Sequence, residues 1–62
     1  MTVSIFLLEK YKTPTAGDET IRNVERVWEA TNNVGTFYNI EEEGGLITSL
    51  WKKYVERIEI VA

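Results

Sequence analysis

Apolar side chains change their period along this chain, and each change marks an element. Residues 3–8 are apolar at every position but Ser4. In an extended chain Val3, Ile5 and Leu7 face one side while Phe6 and Leu8 face the other, which predicts a strand covered on both faces, central in a sheet or buried at an interface. Residues 12–19 break the pattern with Pro14 and Gly17. Proline cannot donate to a ladder and glycine tolerates positive φ, so a loop is expected there. In the stretch 21–31, Ile21, Val24 and Trp28 keep helical offsets, with Asp18 available as an N-cap. Yet Ile21, Val24, Val27 and Thr31 are β-branched and lose rotamer freedom in a helix. The next residues favour the strand, because Asn32-Asn33-Val34-Gly35 is a turn signal and Thr36 to Ile40 a strand pattern. A hairpin with arms near 22–31 and 36–42 results, and the spacing of Val24 and Val27 requires a bulge in its first arm.

The closing stretch carries two periods at once. Ile47, Leu50, Trp51, Tyr54, Val55 and Ile58 follow helical spacing, whereas Ile58 and Ile60 alternate with Arg57 and Glu59 as in a half-buried strand. The strand reading divides the segment into a sheet continuation at 46–48, one helical turn over 49–53 and a last strand over 54–61. The helical reading runs over 48–57 with Thr48 or Ser49 as N-cap. The expected fold is therefore mainly β: a small antiparallel sheet or SH3-like partial barrel, with one short helical turn near 48–57. The alternative is an α+β chain of β-β-α type. Tyr54-Val55-Glu56-Arg57-Ile58 after a short helical turn resembles the close of SH3-like barrels, where a one-turn helix precedes a final strand. That resemblance covers about ten residues, and no acidic, aromatic-rich groove segment of the SH3 kind is legible between Leu8 and Gly17.

With 62 residues, one domain over 1–62 is expected, and a chain so short buries only about 60% of its unfolded surface. Small domains are commonly supported by disulfides, metals or oligomerisation. Cysteine and histidine are both absent, so thiolate and imidazole sites are excluded and self-association is the expected support. No cofactor and no metal site is expected, since the Glu41-Glu42-Glu43 run points its carboxylates in different directions and reads as a solvated turn with Gly44 and Gly45. A net charge of -3 weighs against nucleic acid as a partner. The apolar start lacks the basic flank and cleavage site of a signal peptide, and no stretch is long enough to span a bilayer. A cytoplasmic protein that makes no membrane contact is expected.

Turnover chemistry is not expected, because no motif dictates a reaction. Trp51, Lys53, Tyr54 and Arg57 place ring faces beside cations, and Arg22 and Arg26 add two further guanidinium groups. These six are the candidate ligand- or partner-binding residues. Two functions fit them. One is a small stoichiometric inhibitor or protein-interaction module, of the kind phages and mobile elements carry to disable a host enzyme. The other is an oligomeric sequestrant that holds a small anionic ligand such as a nucleotide in a basic, aromatic pocket between subunits.

Overall fold

A computed structural model describes residues 1–14 and 17–61. The chain is mainly β, with strands β1 (Thr2–Leu7), β2 (Glu19–Ile21), β3 (Val24–Thr31), β4 (Thr36–Glu42), β5 (Ile47–Trp51) and β6 (Val55–Val61). Its only helical elements among the described residues are single 3-10 turns at Glu9–Tyr11 and Lys52–Tyr54. The strands form two antiparallel sheets, one in the order β2-β1-β6 and one in the order β3-β4-β5. The strand period thus prevails in both ambiguous segments. Helices over 19–31 or 48–57, and the β-β-α arrangement built on the second, are overturned.

Why the strand period wins is visible in the register. The Asn32–Gly35 turn is closed by its own side chain: the Asn32 Oδ1 accepts from the Val34 and Gly35 amides at 2.8 and 3.2 Å, and the Asn32 amide donates to the Gly35 carbonyl at 3.0 Å. This Asx closure fixes the β3–β4 hairpin, with Thr31 opposite Thr36 and Val27 opposite Ile40. The required bulge lies between Val24 and Arg26. Ahead of it the first arm is shorter than expected, because the chain turns at Arg22 and Asn23. Asn23 takes φ 57, a left-handed conformation that asparagine tolerates better than most residues. That corner carries the chain from the first sheet to the second.

In the closing stretch β5 runs on to Trp51, opposite Phe37, so the helical turn comes later than 49–53. Tyr54 belongs to that turn and the last strand starts at Val55. A one-turn helix ahead of a final strand is what the resemblance to SH3-like barrels implied, and that strand pairs with β1. β1 lies at the centre of its sheet, as its two apolar faces required. Part of the loop expected over 12–19, residues 15–16, lies outside the described residues.

Side chains from both sheets make one core of Val3, Ile5, Ile21, Val24, Ile40 and Val55, with Leu7, Val27, Tyr38, Leu50 and Ile58 packed against it. Val3 and Ile40 are wholly buried. Two ties close the ends. At one end the amino-terminal ammonium donates to the Val24 carbonyl at 2.9 Å and the Val24 amide donates to the Met1 carbonyl at 2.8 Å. At the other the Leu8 amide donates to the Tyr54 carbonyl at 2.9 Å, joining the two 3-10 turns. Among the described residues no helix is long and apolar enough to cross a membrane.

Candidate functional site

The second tie builds an apolar concavity at this end of the fold. After β1 the chain makes its first 3-10 turn, held by the Tyr11 amide donating to the Leu8 carbonyl at 2.9 Å and the Lys12 amide to the Glu9 carbonyl at 3.1 Å. Asp18 secures the turn from outside: its Oδ1 accepts from the Leu7 amide at 3.1 Å and its Oδ2 from the Lys12 ammonium at 3.4 Å. Lys12 also pairs with Glu9 at 3.2 Å. That hydrogen bond to Glu9 outweighs desolvation and, with the bond to Asp18, holds the Lys12 ammonium above the ordinary lysine range. The turn therefore presents Tyr11 in a fixed direction.

Tyr11 meets Tyr54 of the second 3-10 turn edge to face, with ring centroids 4.5 Å apart and planes at 70°, a favoured aromatic geometry. Leu7, Leu50, Trp51 and Val55 complete an open, apolar groove of about 340 Å³. Leu7 and Val55 are cross-strand partners at the end of the β1–β6 ladder, so the groove floor continues the core outward. No hydrogen bond joins either phenol hydroxyl to another described residue, so each keeps its capacity to donate and accept.

Trp51 is the hinge between this groove and a second depression lined by Val34, Gly35, Thr36, Lys52 and Lys53. Its ring lies on Phe37, with centroids 4.3 Å apart, and so close over Gly35 that a Cβ there would sit 2.8 Å from Trp51 Cζ3. Glycine at position 35 is what admits the indole. Two lysines edge the aromatic strip. The Lys53 ammonium stands 4.8 Å from the Trp51 ring and 5.2 Å from the Tyr54 ring, and the Lys10 ammonium 5.1 Å from Tyr11. Unlike Lys12, Arg26, Lys52 and Arg57, which are paired with carboxylates, Lys10 and Lys53 have no carboxylate partner among the described residues. With no carboxylate beside them, these two exposed ammonium groups are available to an incoming anion, an attraction that salt screens.

Of the six residues singled out in the sequence, Trp51, Lys53 and Tyr54 come together here. The other three do not join them within one chain. Arg57 lies on β6 with its guanidinium 3.9 Å over the Phe6 ring, paired with Glu59 at 2.7 Å and Glu56 at 2.8 Å. Arg26 stacks 4.1 Å over Trp28 on β3 and pairs with Glu41 at 2.7 Å. Arg22 stands exposed at the β2–β3 corner, away from the groove end. Sequence reasoning missed Leu7, Tyr11, Leu50 and Val55. The available signal was Tyr11 itself, a large aromatic just past the end of an apolar strand and just before a proline loop. No group of three or more carboxylates able to hold a metal ion occurs among the described residues. Compared with protein-family models, curated proteins and solved structures, the chain finds no match.

Proposed function

We propose that the chain is a non-enzymatic protein-interaction module whose groove between Tyr11 and Tyr54 holds an extended segment of a partner protein. The observation that carries this reading is the edge-to-face tyrosine pair over an apolar floor, with both hydroxyls unengaged among the described residues. An extended peptide offers what such a groove takes: apolar side chains at alternate positions for the floor, and backbone carbonyls for the phenols. Lys10 and Lys53 at the rim add a preference for a carboxylate flanking the apolar residues. A module of this kind acts by stoichiometric occupancy. It suits a small inhibitor of another protein, working in the cytoplasm and of a size that phages and mobile elements carry.

The test is selection of random peptides on the immobilised protein, then calorimetry of the winning sequence. Saturable one-to-one binding, weakened about tenfold or more by Tyr11→Ala or Tyr54→Ala as expected of central aromatic anchors, supports the module. A selection that yields no saturating peptide removes it. One observation favours a second reading: Lys53 stands over two rings at once, the pairing that takes a nucleotide by stacking and phosphate contact. Saturable quenching of Trp51 fluorescence by nucleotides, abolished in Lys53→Ala, would put the sequestrant in place of the module.

A further inference from the structure

From the free edge of β6 we infer that the chain pairs with a second copy of itself, strand β6 against strand β6, antiparallel and centred on Ile58. β6 bonds to β1 along one edge, and among the described residues no strand covers its other edge. An uncovered edge is a template for another strand, and proteins blunt such edges with charged residues, lysine above all, with proline, with a bulge or with a cover. β6 contains neither lysine nor proline, and beyond the bulge that leaves Glu56 without a β1 partner it runs regularly over residues 57–61. It carries Arg57 and Glu59 on the same face of the sheet and exposes Ile60 and Val61 at its end, 60% and 55% accessible.

The charge order selects one register. A twofold axis through Ile58 puts Arg57 opposite Glu59 of the second copy and Glu59 opposite Arg57, so two complementary pairs form at once. Centring the ladder on residue 57 sets Arg57 against Arg57, and centring it on residue 59 sets Glu59 against Glu59. Directly opposed like charges on neighbouring strands destabilise the pair. Arg57 can serve both strands, since a guanidinium has five donors and among the described residues only Nε and Nη1 are used, for Glu59 and Glu56. Its place over Phe6 at 3.9 Å holds it on the outer face, ready for the opposite carboxylate. β3 and β5 also have free edges, but Ile47–Trp51 is uncharged and selects no register, and in β3 Arg26 lies one residue from Glu25 and three from Glu29, odd spacings that no twofold register sets opposite one another. β2 offers only three residues.

The pairing has a geometric consequence, which rests on the Tyr11–Tyr54 groove being a peptide site. Val55, at the groove, would lie at opposite ends of the shared ladder in the two copies, roughly 20 Å apart along the strand direction at about 3.4 Å per residue. The dimer would then be bivalent, with two grooves able to engage two segments of one partner or assembly.

Charge swapping tests the inference directly. Light scattering of the wild-type chain from roughly 10 to 500 µM should show mass rising from that of the 7.2 kDa chain to twice it. R57E and E59R each place like charges opposite one another, and each alone should raise the dimer dissociation constant roughly tenfold or more. An equal mixture of the two variants should recover dimers of mixed composition, because the paired strands then carry opposite charges at positions 57 and 59. An effect confined to one chain's own ion pairs cannot produce that recovery. Wild-type protein that stays at the single-chain mass throughout overturns the inference, and so do variants that dimerise alone as well as wild type does. Peptide binding measured on monomeric R57E reports on the groove separately, so failure of one reading leaves the other standing.

Discussion

Replacing Gly35 with alanine puts the geometry around Trp51 under the most direct strain. The added Cβ would sit 2.8 Å from Cζ3 and 3.4 Å from Cε3 of the indole, where ordinary carbon contacts lie near 3.5–4.0 Å. The obstacle is the body of a ring, not the end of a flexible chain. That ring cannot withdraw freely, because it is packed on Phe37 at 4.3 Å and anchored at the end of β5 opposite that residue. Gly35 also has φ +157, at the fringe of a region that residues with a Cβ rarely adopt. Overpacking of this kind costs about 1–3 kcal/mol. In a domain of this size each kcal/mol lowers the melting temperature by about 4–8 °C. Urea denaturation monitored by tryptophan fluorescence measures the loss of stability, and a Trp28→Phe background lets the emission report on Trp51 alone. We expect Gly35→Ala to lose stability in that range and to shift the Trp51 emission to the red as the ring lifts toward solvent. Gly17→Ala is the control: nothing lies within 4 Å of its added Cβ and its φ is not positive, so it should be neutral or slightly stabilising. A Gly35→Ala protein with wild-type stability and unchanged emission would show that the indole does not rest on this glycine.

Two other predictions concern the body of the fold. Ile40→Ala removes a wholly buried side chain from the middle of the β3-β4-β5 sheet and should cost about 2–5 kcal/mol. A 62-residue chain has only about 3–9 kcal/mol in total, so circular dichroism at ordinary growth temperature should show substantial unfolding. Lys52 has its pKa raised, first by its hydrogen bond to Glu29 and then by that group's charge. A raised folded-state value means the contribution is fully present below the unfolded lysine value and is lost as pH rises through the folded one. The melting-temperature gap between wild type and Lys52→Met should therefore stay constant through neutral pH and close only in the strongly alkaline range, and added salt should narrow it because both partners are half exposed. A gap that closed on acidifying from pH 8 to about 7 would contradict this assignment.

How much of the fold and the groove was legible in the chain depends on the distance over which each feature is decided. The β3–β4 hairpin and its bulge are local matters, settled by Asn32, Gly35 and the Val24–Val27 spacing, and they stand where the pattern put them except that the first arm starts at Val24. The two periods of the closing stretch have two causes, a turn and a bulge. Leu50 faces the core from β5, the 3-10 turn at Lys52–Tyr54 then interrupts the alternation, and the bulge at Glu56 lets both Val55 and Ile58 face the core from β6. An interrupted strand pair can thus imitate helical spacing. The groove was only half visible. Trp51, Lys53 and Tyr54 are neighbours in sequence, but Tyr11 joins them through the β1–β6 ladder and the Leu8–Tyr54 hydrogen bond, neither of which leaves a local mark. Arg26 and Arg57 did find aromatic partners, Trp28 and Phe6. Strand alternation turned both onto outer sheet faces, away from the ring pair that sequence proximity suggested.

Whether Tyr11 and Tyr54 together form a site for an extended peptide is tested most directly by mapping amide chemical-shift changes as the isotope-labelled protein is titrated with the selected peptide. A peptide seated between the two rings should give saturating changes concentrated on Leu7, Tyr11, Leu50, Trp51, Tyr54 and Val55, with Lys10 and Lys53 responding only when the peptide carries its carboxylate. Changes that instead gather on β3 around Arg26 and Trp28, leaving Tyr11 and Tyr54 unmoved, would contradict it.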